Sequence, residues 1–146
     1  MYADFVPFFA GAERAIKGPA GAGRVSWVCR DDIADVATEV LLSDGQDSRT
    51  YDVTGPGALT LSETAEVLGS VTGQPVIYIE ETLEEAWESR RPSGAPDWEI
   101  EGWVTSYVAI ANGELAIVSG HVEEVTGHLP RALESFLEGL AARPDR

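Results

Sequence analysis

Two periods of hydrophobic residues along this chain predict a strand that is followed directly by a helix. Residues 25–29 alternate, with Val25, Trp27 and Cys29 on one side, and this period near two predicts a β-strand. Apolar side chains then recur at helical spacing over residues 31–42, which predicts an amphipathic helix. A strand that leads straight into a helix is typical of α/β proteins.

Three carboxylates stand at the start of this predicted helix. Asp31 is placed to cap it, and Asp32 and Asp35 lie where a helix dipole favours negative charge. Acid–base catalysis or metal ligation by these carboxylates is the alternative interpretation. Helix capping explains the first two more simply, so no catalytic role is predicted for them.

The rest of the chain continues as short elements separated by turn residues. Threonines followed three positions later by a glutamate form capping boxes that open helices at Thr60 and Thr82, and Gly73 is expected to end the first of these. The other predicted elements are loops at residues 13–23, 43–48 and 91–96, strands at 49–54 and 75–80, helices at 60–72 and 98–112 (the latter capped by Asp97), a helical turn at 121–126, a last helix from Pro130 or Arg131, and a frayed end at 143–146.

Composition predicts a single domain over residues 1–146. Apolar residues make up 44% of the chain and charged residues 24%, a balance typical of a globular protein that buries a core. The formal net charge of -15 argues against nucleic acid and against an anionic membrane surface as partners. The sequence has no run of about 18 apolar residues and no signal-peptide pattern, so a cytoplasmic location is expected.

Few residues offer metal, disulfide or phosphate chemistry. Cys29 is the single cysteine, which excludes an internal disulfide and predicts a buried, inert thiol. The spacing around His121 and His128 matches no zinc site, so both are expected at the surface and no metal is predicted. The glycines within residues 18–23 lack the Gly-x-Gly-x-x-Gly spacing and precede a strand, which argues against a phosphate-binding loop.

Three segments of the chain are similar to a known family. Residues 30–35 (RDDIAD), 51–56 (YDVTGP) and 125–130 (VTGHLP) resemble, in order and spacing, segments in the C-terminal half of the NmrA-like atypical short-chain dehydrogenases. The nearest branch is the NAD(P)H:quinone-oxidoreductase-like one, and the similarity covers almost the whole chain from Tyr2. The resemblance implies a truncated Rossmann-type α/β fold with a few short strands and about five helices.

Two features of that family are missing from this sequence. A full-length member is about twice as long and opens with a strand, a glycine-rich turn and a helix that binds the cofactor pyrophosphate. None of the four tyrosines here is followed four positions later by the lysine of the usual Tyr-x-x-x-Lys motif. The family uses NAD(P)H, but this chain alone is expected to bind no cofactor.

Aromatic residues are the candidate substrate contacts. The resemblance places the N-terminal aromatics near the nicotinamide end of the cofactor and the later ones in the substrate lobe, where a small apolar or aromatic molecule would bind. Packing in the core is the alternative for each of them. The candidates are Phe5, Phe8, Phe9, Trp87, Trp103 and Tyr107.

Three functions remain open at this stage. The first is the substrate-binding portion of an NAD(P)-dependent oxidoreductase that needs a partner for redox activity. The second is a cofactor-independent isomerase, cyclase or dehydratase, and the third is a non-catalytic binding or regulatory module. Because half a parallel sheet exposes strand edges and apolar faces, the chain is expected to form a homo-oligomer or to dock on a complementing Rossmann-half subunit.

Overall fold

Short strands alternate with helices along the chain, which confirms the α/β class. The computed structural model describes residues 1–10, 13–43 and 48–142, and only the backbone of Phe8 and Phe9. Short 3₁₀ turns cover Ala3–Phe5 and Arg91–Ser93. The α-helices are α1 (Val6–Phe9), α2 (Arg30–Leu42), α3 (Leu61–Thr72), α4 (Leu83–Arg90), α5 (Asp97–Ala111), α6 (His121–Thr126) and α7 (Leu133–Ala141). Most of the predicted turn at 43–48 and the predicted frayed end at 143–146 lie outside the described residues.

Among the described residues, the strands form two small sheets. The strands are β1 (Ala15–Gly18), β2 (Arg24–Val25), β3 (Leu59–Thr60) and β4 (Ile77–Glu80). β1 and β4 pair in parallel with Ile16 opposite Tyr78, and β2 pairs with β3 in antiparallel orientation. Tyr2 also forms an isolated parallel bridge with Val28, which fixes the N-terminal residues beside the segment that follows β2.

Both predicted capping boxes are present. Thr60 accepts a hydrogen bond from the backbone N–H of Glu63, whose carboxylate accepts one from the backbone N–H of Thr60, and Thr82 and Glu85 repeat the arrangement. Gly73 ends α3 with a φ of 66°, in the left-handed region that glycine adopts at little cost. These helix ends form as predicted because each depends on residues within four positions of one another.

The predicted strand at residues 25–29 is wrong beyond Val25. There the chain leaves its partner strand, because the backbone N–H of Ser26 donates to the carbonyl of Leu115 at 2.9 Å. The backbone of Val28 bonds the N-terminal residues instead: its N–H donates to the carbonyl of Met1, and its carbonyl accepts from the N–H of Ala3. The predicted burial of Cys29 is nevertheless confirmed, and every residue from Val25 to Cys29 is buried.

Residues 49–54 do not form the predicted strand. The backbone N–H of Asp52 donates to Nδ1 of His121 at 2.9 Å, and its carbonyl accepts a hydrogen bond from the Ser119 hydroxyl. The hydroxyl of Thr54 accepts from the backbone N–H of Ser119, also at 2.9 Å. Side chains thus satisfy backbone groups that a neighbouring strand would otherwise pair.

Residues 13–23 are not only a loop, since they contain β1. Ala15 and Ile16 are buried in this strand, although Gly-Pro and Gly-Ala-Gly sequences follow closely and predict turns. The strand forms because β4 provides a parallel partner 62 positions later, as the pairing of Ala15 with Ile77 shows.

Three helix starts differ from the prediction. Asp31 and Asp97 lie inside the first turns of α2 and α5, whose preceding cap residues are Cys29 and Pro96. The last helix begins at Leu133, later than predicted. Neither aspartate therefore acts as a cap, and the negative charge of each faces the positive end of its helix dipole instead.

The main core lies between the strands, α3, the end of α5 and α7. Trp27 is its largest fully buried side chain, and its indole N–H donates to Thr64 Oγ1 at 2.9 Å. A second, smaller cluster joins α4 to α5 through Ala86, Ile100 and Val104. α4 therefore packs on the first half of α5, whereas the end of α5 belongs to the main core.

Several large apolar side chains remain exposed. They include Leu41, Leu42, Ile117, Val118 and Leu129. Exposed apolar surface is what the sequence predicts for half of a larger sheet, whereas the oligomeric state stays a prediction. Among the described helices, none combines the length and the apolar character needed to cross a bilayer.

Candidate functional site

The first candidate group lies at the N-terminus. The rings of Tyr2 and Phe5 are 44% and 42% exposed, with centroids 6.0 Å apart. The guanidinium carbon of Arg30, the first residue of α2, lies 5.5 Å and 5.6 Å from these two centroids. Asp4 lies 3.8 Å from Nε of Arg30. Phe5 therefore does not pack fully in the core, and the side chains of Phe8 and Phe9 lie outside the described residues.

This N-terminal arrangement combines an accessible aromatic surface with a fixed cation. Arg30 contacts both rings and the Asp4 carboxylate, so its charge is partly compensated. One carboxylate oxygen of Asp4 is buried and has no hydrogen-bond partner among the described residues. Flat apolar molecules could stack on the exposed rings, which is the chemistry predicted for Phe5.

The second candidate group lies on α4 and α5. Trp87 is half-buried against the smaller cluster, with the guanidinium of Arg91 6.0 Å from its ring. Trp103 is 37% exposed, whereas Tyr107, one helical turn later, is 8% exposed and belongs to the main core. The α5 helix thus carries one accessible and one buried aromatic residue on the same side.

An ion pair fixes the buried end of this second group. Arg90 bonds the Glu81 carboxylate at 2.8 Å and the carbonyl of Lys17 at 2.9 Å, and it lies 5.2 Å from the Tyr107 ring centroid. Burial raises the pKa of the Tyr107 hydroxyl above its usual value. A buried phenol of raised pKa is a weak acid, so Tyr107 is neutral at physiological pH.

A third group, which the sequence interpretation missed, joins α2 to the segment before α7. Asp32 is fully buried and accepts hydrogen bonds from the backbone N–H of Arg131 at 2.9 Å and from its guanidinium. The same guanidinium contacts Asp35 at 3.3 Å, and His128 Nε2 lies 3.3 Å from the Asp35 carboxylate. No local signal identifies this cluster, because Asp32 and Arg131 are 99 positions apart.

This acidic cluster already holds a cation of its own. One ligand atom from each of Asp32, Asp35 and His128 lies within 4.8 Å of the others, close enough to share a metal ion. The Arg131 guanidinium contacts both carboxylates, so a metal ion would have to displace it. The Arg131 guanidinium therefore links Asp32 and Asp35 of α2 to the segment before α7.

Cys29 is expected to resist alkylation in the folded protein. Its thiol is fully buried, and burial together with the nearby Asp32 carboxylate raises the pKa of the thiol to about 12. Because the thiolate is the nucleophile, iodoacetamide at pH 8 should modify the unfolded chain rapidly and the folded chain slowly. Intact-mass measurements over time, with and without urea, would check this. Equal rates in the two states would contradict the predicted burial.

The glycine-rich turn between β1 and β2 does not fit a dinucleotide pyrophosphate. Along the chain it leads from β1 to β2 and not into a helix whose N-terminus could bind phosphate. A Cβ atom at Gly23 would overlap the backbone carbonyl of Ile110, so the space beside this glycine is filled by the protein itself. The turn instead lets β2 approach α5 closely.

Several clefts lie away from the candidate aromatics. One of about 320 Å³ is lined by Trp27, Pro56, Gly57, Leu59, Val67, Ala132, Leu133 and Glu134. Another, of about 250 Å³, lies between the N-terminus, residues 51–54 and the segment before α6. Neither is lined by Phe5, Trp87, Trp103 or Tyr107, so the structure brings none of these four into the two clefts.

The fold and its paired strands define the class of protein as Rossmann-like α/β. The solved structure of the NADPH-dependent quinone oxidoreductase QOR2 from Escherichia coli superposes with a TM-score of 0.85 over 97% of this chain and 52% of that chain. The sequence identity is 23%, so this likeness shows the fold alone.

Sequence comparison narrows the class. The chain is 36% identical over 124 residues to the NAD(P)H azoreductase of Xenophilus azovorans, a match that covers 85% of this chain and 43% of that protein. It is 29% identical to the triphenylmethane reductase of Citrobacter sp., solved in complex with NADP(H), with a TM-score of 0.83 over 97% of this chain and 50% of that one. No protein-family model matches the chain.

These matches confirm the resemblance predicted from the sequence. The chain is related to NmrA-like reductases of the azoreductase and quinone-oxidoreductase group, and it spans about half the length of the curated relatives it matches. The roles of Phe5, Trp87, Trp103 and Tyr107 remain predictions.

Proposed function

We propose that this chain is the substrate-binding portion of an NAD(P)H-dependent reductase that acts on a small, flat, apolar or aromatic molecule. The observation that carries the proposal is the relationship to the azoreductase and the triphenylmethane reductase over about half of each protein. A second polypeptide or segment that binds the dinucleotide would supply the hydride. This chain would supply the aromatic surface that orients the acceptor.

The accessible aromatic residues support this role. Phe5 stacks with Tyr2 and Arg30 but keeps nearly half of its surface free, and Trp103 is also accessible. A planar acceptor could stack on such rings, an interaction worth about 1 kcal/mol beyond area burial for each ring pair. Tyr107, which is buried beneath, would contribute by holding α5 in place.

Exposed apolar surface supports the need for a partner. Ile117 and Val118 precede α6, and Leu41 and Leu42 end α2; these four side chains are 48% to 84% exposed. Soluble proteins seldom leave several neighbouring large aliphatic side chains in water without an interaction to cover them. A second copy or a complementing Rossmann-half subunit would cover such residues.

The proposal is tested by separating acceptor binding from NADPH binding. The purified chain is titrated with menadione, a flat quinone, and separately with NADPH, while tryptophan fluorescence is followed. We expect saturable quinone binding and no tight NADPH binding. Adding the part of the Xenophilus azovorans azoreductase that this chain does not match should introduce NADPH binding and quinone-dependent NADPH oxidation.

Aromatic variants locate the acceptor. Phe5→Ala and Trp103→Ala should each weaken quinone binding about fivefold, which corresponds to the loss of one ring contact. Trp98→Ala is the matched control, since Trp98 lies on the same helix, is 73% exposed and is not a candidate contact. If Phe5→Ala and Trp103→Ala bind quinone as tightly as Trp98→Ala does, the proposed site is contradicted. Turnover by the chain alone would contradict the need for a partner.

A further inference from the structure

The cleft beside Trp27 has the features of a binding site separate from the proposed acceptor site. Loop residues Pro56 and Gly57, strand residue Leu59 and helix residue Val67 form one wall, and the start of α7 forms the other. At about 320 Å³ it lies at the lower end of the range for small-molecule sites, which suits a ligand of one or two rings.

The walls of this cleft are fixed before any ligand arrives. The Trp27 indole N–H donates to Thr64 Oγ1 at 2.9 Å, and the Thr64 hydroxyl in turn donates to the Thr60 carbonyl at 2.8 Å. Leu133, on the opposite wall, is buried in the main core. These bonds fix the Trp27 indole and the Thr64 hydroxyl against the start of α3. Ligand binding would therefore need little further ordering of the protein, which favours affinity.

The charges at the cleft favour a ligand of positive charge. Its lining contains one carboxylate, that of the exposed Glu134, and no basic residue. The chain as a whole carries a net charge of -15, so the surrounding potential is negative as well. An anionic ligand would be repelled, whereas an ammonium group beside Glu134 would be attracted.

We propose that this cleft binds a small aromatic amine, with its ring against the apolar walls and its ammonium group beside the Glu134 carboxylate. Apolar burial supplies most of the affinity, and the partly exposed ion pair adds a smaller preference for the cation. The site is independent of the proposed reductase function, because it shares no residue with the candidate acceptor contacts.

Three probes with the same ring test the charge preference. Naphthylmethylammonium, naphthylmethanol and naphthalenesulfonate present a cation, a neutral group and an anion on one naphthalene. Calorimetric titrations should rank the cation about threefold above the alcohol, the size expected of a partly exposed ion pair, and should show no saturable binding of the sulfonate. Backbone amide shifts in NMR spectra should concentrate at Gly57, Leu59 and Val67.

Two variants test the location. Gly57→Phe should abolish binding of all three probes by filling the mouth, and it should fold normally because a Cβ at Gly57 meets nothing within 4 Å. Gly102→Phe on α5 is the matched control, since Gly102 is equally free of neighbours. Glu134→Gln should remove the preference for the cation and leave alcohol binding unchanged.

Several results would overturn this inference. Equal affinity for the sulfonate and the ammonium probe would contradict the charge argument. Undiminished binding by Gly57→Phe, or amide shifts concentrated near Phe5 and Trp103, would place the aromatic amine elsewhere. The last outcome would leave the proposed acceptor site standing, so the two proposals fail separately.

Discussion

Replacement of Asp32 by alanine is expected to lower the free energy of unfolding by about 3 kcal/mol, the lower end of the range for breaking a buried ion pair. Asp32 is fully buried and accepts hydrogen bonds from both the backbone and the side chain of Arg131. Its loss leaves the Arg131 backbone N–H without an acceptor and removes the ion pair that joins α2 to the segment before α7. The effect stays near the lower end because the Arg131 side chain is 41% exposed and water can solvate it.

Urea unfolding at pH 7, followed by circular dichroism, measures this effect. Asp35→Ala is the matched control, since Asp35 contacts the same guanidinium only at 3.3 Å and is itself partly exposed, so its loss should cost less than about 1 kcal/mol. Asp32→Asn retains an acceptor for the backbone N–H of Arg131. Its free energy of unfolding should therefore lie between those of the two alanine variants. If Asp32→Ala and Asp35→Ala lower the free energy of unfolding equally, the burial of Asp32 does not add to its contribution to stability.

An alanine at position 55 is expected to destabilise the protein by about 2–3 kcal/mol, as overpacking against a fixed neighbour does. A Cβ at Gly55 would overlap the backbone carbonyl of Trp27. The obstacle is main chain, so no side-chain rotation can relieve the overlap. The loop after residue 54 must therefore move away from Trp27, the largest fully buried side chain of the core.

Gly57 provides the control for this prediction within the same loop. A Cβ there meets nothing within 4 Å, so Gly57→Ala should change the free energy of unfolding by less than about 0.5 kcal/mol. Near-ultraviolet circular dichroism would also report the Trp27 environment, which should change in Gly55→Ala only. A stable Gly55→Ala protein with an unchanged spectrum would mean that the loop has more freedom than the structure shows.

The candidate site was only partly predictable from the sequence. The family resemblance selects the aromatic residues, but it does not determine which of them are accessible. Phe5 and Trp103 reach the surface while Tyr107 is buried, because Tyr107 lies against Gly18, where a Cβ would overlap its ring. The Trp27 cleft could not be predicted either, since its walls come from three separate parts of the chain.

The sequence by itself determined the features whose causes are local. Thr60 with Glu63, Thr82 with Glu85, and Gly73 fix helix ends because each end is decided by groups within about one helical turn. The α/β class also followed from the periods of the apolar residues. The relationship to the reductases, in contrast, depended on whole segments such as residues 51–56, whatever structure they adopt.

Only the tertiary structure decided the features that need distant partners. β1 forms because β4 lies beside it. Residues 49–54 form no strand because the side chains of Ser119 and His121 bond the backbone groups of Asp52. In the opening segment, the burial of Cys29 was predicted correctly. The alternation separated two sides of a strand, whereas every residue from Val25 to Cys29 is buried and strand pairing ends at Val25. Burial follows from side-chain chemistry, which a sequence displays, whereas hydrogen-bond partners depend on which segments folding brings together.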